Sequence, residues 1–377
     1  CVVYLFSIFF ILFNSSLIIL TTVYCTIYSI TKIVKNLKNI IYLCNAEKGA
    51  SGGAKIIYHH SEIINNFKNF TSQVVHIRKK KTAKWTSSIR KRLNINSNSE
   101  TGWKANEIEA VKNFKYNWFS NKVSIKHNLN FNLKTDFVIL PEIHAHLAED
   151  LLINKKIKYA IFVQNGYSIS FTNNEKKLNK AYSNASFILS YSDDITNCVK
   201  LTFPKLKTKI IKIKISIQST GKNNVKKKKK LITYMSRKLP QHSFHVVSFL
   251  KKNLPKEWSL KDLNNISEKE VCKNLLNSKI FLAFSNLEGL GLPPLEAALA
   301  GNYVIGYTGE GGKDYWKKPI FTEIYSGDIR NFVKQVIKKI SEINMNKSQR
   351  LNQYKKILKE FSKTNEILHI KKFLKEI

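Results

Sequence analysis

The sequence predicts an α/β chain built as two parallel-sheet halves, with helices at its end. Three observations carry this expectation. Short apolar runs with the length and content of buried parallel strands alternate with helix-length stretches. The 377 residues give room for roughly two domains of ordinary size, each with its own core. A polar, Lys-rich, Gly-containing stretch, QSTGKNNVKKKKK over residues 218–230, separates the two series of runs. The expected division is an apolar segment over 1–38, a first domain over 39–217, the linker, and a second domain with terminal helices over 231–377.

Residues 1–31 carry no charge, and Lys32, Lys35 and Lys38 follow. That length is enough to span a bilayer, and the lysines would place the rest of the chain on the cytoplasmic side. A cleaved signal peptide fits less well, because the start is not basic and the apolar stretch is too long. The interruption at Asn14, Ser15 and Ser16, and Cys rather than Met at position 1, leave a non-native extension open beside a membrane anchor.

The first strand is expected at NIIYLC, residues 39–44, followed by a small-residue loop and a helix with apolar positions at Ile56, Ile57, Ile63 and Ile64. This is the opening strand-loop-helix unit of a Rossmann-like domain, although its Gly52-Gly53 pair is not the G-x-G-x-x-G dinucleotide fingerprint. Residues 78–134 carry the basic strings RKKKTAKW and IRKRLN with Trp85, Trp103 and Trp118, and read as a loop insertion facing acceptor or membrane, or as solvated surface. Strands return at TDFVILPEI, KYAIFVQNGY and SFILSYS. Ligands in such sheets sit outside the carboxyl ends of the strands, so Glu142, His144, Gln164 and Asn165 are candidate cleft residues. Strand-end residues of these types also serve as turn and cap formers. TKIIKIKISI, residues 208–217, alternates apolar and basic residues as a half-exposed edge strand would.

The second series opens with LITYM, and Arg237 with Lys238 stands at its carboxyl end. A helix, a strand near WSLKDL and a helix over 267–276 lead to KIFLAF, a buried strand, and then to SNLEGLGLPPLEAALAG, residues 285–301. Pro293 and Pro294 suit the first turn of a helix and Gly301 its end. The junction aims free helix N–H groups and a positive dipole end into the cleft. Glu288 is placed over the loop, and Glu296 in the first helical turn, facing the same cleft. NYVIGY is the next strand, and TGEGGKDYW is a second Gly-rich loop opening a helix at Lys313.

The E-x7-E string with its strand, glycines and prolines resembles the donor-sugar motif of retaining, nucleotide-sugar-dependent glycosyltransferases of the two-Rossmann-domain GT-B type, family 4 in particular. The resemblance covers residues 39–316 and is strongest from 231 onward. It implies that Glu288 meets the donor sugar, that Glu296 hydrogen-bonds the nucleotide ribose, and that the amides of Gly289, Gly291 and Leu292 hold the transferring sugar. It further implies that Arg237 and Lys238 neutralise the donor diphosphate without a metal; related enzymes often space the two cations, whereas here they are adjacent. Gly311 and Gly312 resemble a loop that closes the donor pocket, and Gly52 and Gly53 one that approaches phosphates or acceptor. Glu288 and Arg237 are the expected catalytic residues.

No metal ligands and no cofactor are expected beyond the nucleotide-diphosphate sugar as co-substrate. Partners implied are that donor, a glycan or lipid-linked acceptor of the kind used in cell-envelope polysaccharide synthesis, and an anionic membrane surface. The +37 charge, from 63 Lys and Arg against 26 Asp and Glu, is spread through a chain rich in Asn and Ile, and no nucleic-acid motif accompanies it. Five scattered cysteines form no C-x-x-C pair and no disulfide framework, which suits a reducing compartment, and with the apolar segment and its following lysines the expected location is cytoplasmic, at the inner membrane face. Two alternatives remain at this stage: a nucleotide-sugar epimerase of the same fold, and a non-catalytic, membrane-tethered polyanion binder.

Overall fold

The structure, a computed structural model, describes residues 37–47, 49, 51–80, 103–116, 119, 122–172, 174–217, 228–343 and 347–377. The apolar segment 1–31, Trp85, Trp118, both basic strings beyond Lys80 and residues 218–227 lie outside them.

The first sheet has eight strands: β1 (Lys38–Asn45), β2 (Phe70–Lys79), β3 (Ile108–Ala110), β4 (Ser124–Ile125), β5 (Asp136–Pro141), β6 (Lys158–Phe162), β7 (Phe187–Ser190) and β8 (Ile210–Lys212). Their order is β3-β2-β1-β5-β6-β7-β8 with β4 beside β2, and every pairing is parallel except that of β2 with β3. β1 is central, so Ile40, Ile41, Tyr42 and Leu43 are all buried. Sequence reading missed β2, because buried polar residues interrupt its apolar pattern. Ser72 donates to the Ile40 carbonyl at 3.0 Å, and the His76 ring hydrogen-bonds the Tyr58 hydroxyl at 2.6 Å.

The expected 208–217 edge strand is shorter than its alternation suggested. Only β8 joins the sheet, although Ile213, Ile215 and Ile217 continue the alternation into the core.

Ser51 caps α1 (Gly52–Ile64), whose Ile56, Ile57, Ile63 and Ile64 are buried against the sheet as expected. The remaining helices of this half are α2 (Ala148–Leu151), α3 (Glu175–Asn184) and α4 (Asp193–Thr202).

The second sheet is wholly parallel, in the order β10-β9-β11-β12-β13, from β9 (Leu231–Tyr234), β10 (Ser259–Asp262), β11 (Ile280–Phe284), β12 (Tyr303–Tyr307) and β13 (Phe321–Glu323). Its helices are α5 (Pro240–Asn253), α6 (Glu268–Asn277), α7 (Leu292–Leu299) and α8 (Ile329–Ser341), followed by α9 (Lys347–Glu360) and α10 (Lys363–Leu374). Lys228 anchors the entry to this half by donating to the carbonyls of Leu275, Leu276 and Ser278 at the end of α6. Burial pushes its ammonium down to about 7.

One apolar core runs from the first sheet into the facing side of the second, and a smaller one, with Ile232, Leu282, Ile305 and Phe332, fills the second sheet's far side. α10 follows the second half in sequence but packs on the first. Phe373 meets Phe137 and Phe187 edge to face, with centroids 6.2 and 6.3 Å apart, and Glu366 meets His59 and His60 of α1. Among the described residues no helix is long and apolar enough to cross a membrane.

Both strand orders reverse direction once. In the first sheet the reversal lies between β1 and β5, and in the second between β9 and β11. Crevices at the carboxyl ends of such strands are where open α/β sheets bind ligands.

Candidate active site

At the second sheet's reversal point, Arg237 and Lys238 follow β9 and Glu288 follows β11. The Lys238 ammonium lies 2.9 Å from the Glu288 carboxylate, whose side chain is 12 % exposed. Arg237 is exposed and forms no ion pair among the described residues.

The Glu288 backbone is fixed by the second Gly-rich loop. Its N–H donates to the Gly309 carbonyl at 2.8 Å and its carbonyl accepts from the Gly311 N–H at 3.1 Å. Gly311 permits that pairing, since a Cβ there would overlap the carbonyls of Glu288 and Gly289. Leu287, which precedes the bridge of Glu288 with Glu310, and Glu310 itself both have positive φ, 36° and 66°. The expected helix from Lys313 is one 3-10 turn, Gly311–Asp314, with Gly311 and Gly312 buried. Tyr315 beyond it donates to the Gly291 carbonyl at 2.8 Å.

α7 begins after Gly291, at φ 79°, and ends before Gly301, at φ 81°. Two sequence expectations change here. Glu296 is the fifth residue of α7 and opens its second turn. Pro293 and Pro294 remove two of the first four N–H groups, so this helix end offers fewer amide donors than the dipole argument assumed. Glu296 is 30 % exposed and lies 3.9 Å from Lys55 of α1. Burial raises its carboxyl above the ordinary value, Lys55 opposes the rise and Glu268 adds to it.

Elements of the first half close on this loop. Gly289 lies so near the Gln164 carbonyl that a Cβ would overlap it. Ser192 donates to the Gly289 carbonyl at 2.7 Å, and the Asn165 amide donates to the Leu287 carbonyl at 2.9 Å. The Gln164 side chain donates to the Gly53 carbonyl at 3.0 Å, and a Cβ on Gly53 would overlap its amide oxygen. A Cβ on Gly52 would come within 2.8 Å of the Leu292 side chain. Gly52, Gly53, Gln164, Asn165, Gly289 and Leu292 therefore form one contact region between the halves.

Glu142 and His144 take different positions from these. The buried Glu142 carboxylate accepts from the amides of Gln164 and Asn165 at 3.0 and 3.1 Å, so it supports the turn carrying them. Burial pushes it up to about 7 against those two amides. His144 is buried beside the first sheet's reversal point, where its Nε2 meets the Asn45 side chain and its ring lies 4.9 Å from Trp103. Burial and the neighbouring His146 pull it down to about 3, so it is a neutral imidazole at physiological pH. It lines a cavity of about 510 Å³ with Asn45, Trp103, Tyr116 and His146.

Sequence reading missed Lys55, Ser192, Glu268 and Tyr315. In a chain with 63 Lys and Arg a single functional lysine carries no distinguishing local signal. Among the described residues no cluster of three or more His, Cys, Asp or Glu is arranged to hold a metal ion, and Cys44, Cys198 and Cys272 are free thiols.

No protein-family model matches the chain, and no curated protein matches it in sequence. Solved structures match it in fold. HepE from Anabaena, solved with UDP, has a TM-score of 0.60 at 10 % identity over 90 % of this chain and 100 % of that one. A Staphylococcus aureus TarM variant, solved with Fondaparinux, alpha-GlcNAc-glycerol and UDP, gives 0.61 at 11 % over 90 % and 99 %. The sucrose-phosphate synthase of Thermosynechococcus elongatus gives 0.58 at 8 % over 90 % and 98 %. The fold is thus α/β of the GT-B kind, two mainly parallel sheets with their carboxyl-end crevices brought together.

Proposed function

We propose that this chain is a glycosyltransferase that moves a sugar from a nucleoside-diphosphate sugar to a glycan or lipid-linked acceptor, with retention and without a metal, in the building of a cell-envelope polysaccharide. The observation that carries this reading is the placement of Arg237, Lys238 and Glu288 together at the second sheet's reversal point, closed over by Gln164 and Asn165 of the first. The UDP found with HepE and TarM supports a nucleotide donor.

In this reading the bond from the anomeric carbon to the diphosphate breaks as negative charge gathers on the leaving oxygens. Arg237 and Lys238 stabilise that charge as fixed cations, and an Arg fork matches phosphate geometry. Glu288 holds a sugar hydroxyl, the backbone at Gly289 to Leu292 orients the sugar, and Glu296 accepts from the ribose. The leaving diphosphate takes the acceptor's proton. The acceptor enters by the cavity at Asn45, Trp103 and His144.

Thermal shift against UDP, ADP, GDP and their sugar conjugates identifies the donor, since a ligand bound only by the folded state raises its stability. Product analysis in EDTA with the best donor then tests the chemistry. Transfer with retained configuration supports the proposal. An epimerised donor with no acceptor requirement, or salt-sensitive polyanion binding with no nucleotide affinity, overturns it.

A further inference from the structure

Lys55 stands on α1 in the first half, yet both its carboxylate partners belong to the second. Its ammonium hydrogen-bonds Glu268 at the start of α6 and lies 3.9 Å from Glu296 on α7. Resting on the nucleotide-sugar reading of Glu296, we infer that Lys55 is a positioning residue that completes the nucleotide end of the donor site when the halves close, coupling closure to donor binding.

The placement argues for this in three steps. Lys55 sits one turn from the contact of Gly52 with Leu292, so its position relative to Glu296 depends on α1 being docked against α7. Lys55, Glu268, Leu292 and Glu296 line a cavity of about 260 Å³ between the halves, large enough for part of a nucleoside. Two carboxylates share this one ammonium, so removing it leaves two like charges in a half-buried space.

The consequence for Glu296 is chemical. A carboxyl group accepts from two ribose hydroxyls through both oxygens only when ionised, and burial and Glu268 both work against ionisation while Lys55 favours it. Burial pulls the Lys55 ammonium down, but Glu296 and Glu268 more than offset this, so it remains a cation. The other titratable or charged groups lining this cavity and the adjoining one are Lys269, Cys272 and Lys273 on α6, Tyr58, His59 and Glu62 on α1, and Glu366 on α10. Lys238 is engaged by Glu288 at the other end of the site, so the two lysines have separate duties.

The test is calorimetric titration of the full chain with UDP, ADP and GDP between about pH 8 and about pH 5, for wild type, Lys55→Met and Lys55→Arg. Small-angle scattering of the ligand-free proteins accompanies it. The expected result is that Lys55→Met weakens the nucleotide bound by wild type about fivefold or more, with the loss growing as pH falls. Lys55→Arg restores affinity to within about twofold, and ligand-free Lys55→Met has a larger radius of gyration than wild type. A merely structural lysine would lower thermal stability without changing the pH profile. Wild-type affinity in Lys55→Met at every pH overturns the inference while leaving the donor site standing. Absence of binding by wild type to all three nucleotides overturns the donor-site reading itself, and this inference with it.

Discussion

Lys238 holds Glu288 at 2.9 Å across the carboxyl end of the second sheet. The ammonium expected to meet the donor diphosphate is thus paired with the carboxylate expected to meet the donor sugar, and a bound diphosphate competes for it. Glu288→Gln removes that competitor. Nucleoside diphosphate is expected to bind the variant at least as tightly as wild type, while transfer falls about tenfold or more because the sugar contact is weakened. Diphosphate affinity that falls together with transfer would show that the pair assists binding instead of competing with it.

Arg237 is exposed and without an ion pair among the described residues, so Arg237→Ala is expected to leave the melting temperature unchanged. Turnover should drop about a hundredfold, since a fixed cation matters most as the diphosphate leaves. Affinity for the diphosphate should fall and affinity for the plain nucleoside should not. Equal losses for both would remove Arg237 from the phosphates.

Gly289 and Gly52 differ in what a methyl group would meet. At Gly289 it overlaps the Gln164 backbone carbonyl, and at Gly52 it meets the end of a Leu292 side chain. Gly289→Ala should cost about 1–3 kcal/mol of stability and Gly52→Ala less, because a side-chain end yields more readily than a backbone. Thermal or urea denaturation compares them directly; equal destabilisation would mean that the two halves do not meet at Gly289.

Glu366 is a buried carboxylate held by His59 at 3.1 Å, His60 at 3.3 Å and Ser216 at 2.5 Å. Burial works to raise it, yet the two imidazoles outweigh burial and hold it down, from an ordinary 4.5 to about 2. A carboxyl group lowered on folding stabilises the fold above its unfolded value and loses that contribution as pH falls through the folded one. Hydrogen exchange should therefore show α10 loosening from α1 between about pH 4.5 and about pH 2, and Glu366→Gln should flatten that dependence. An unchanged acid profile in the variant would assign the loss to other groups.

Deleting residues 1–31 is expected to leave a folded protein, because the first sheet begins at Lys38. The truncated chain should still bind anionic vesicles through its lysines, at about 1 kcal/mol for each near the surface, and salt should reverse that binding. If residues 1–31 insert into a bilayer, the 377-residue chain should resist extraction from membranes by high salt. Its release by salt alone would exclude an inserted anchor.

Local pattern was enough to read the alternation of strands and helices, because burial on both faces of a parallel sheet writes continuous apolar runs such as those at 40–43 and 280–284. It also marked α7, since prolines and glycines at helix ends reflect local backbone geometry. Adjacency across the halves was decided only by tertiary structure. Nothing local in the sequence places Lys55 against Glu268 and Glu296, Ser192 against Gly289, or α10 against the first sheet, since each pairing joins segments far apart in the chain. The same reason hid β2, whose Ser72 and His76 read as surface residues, whereas in the interior Ser72 meets the Ile40 carbonyl and the Nε2 of His76 meets the Tyr58 hydroxyl. Glu142 shows the converse. Its strand-end position suggested the cleft, but the carboxylate is buried and held by two backbone amides from the neighbouring strand end.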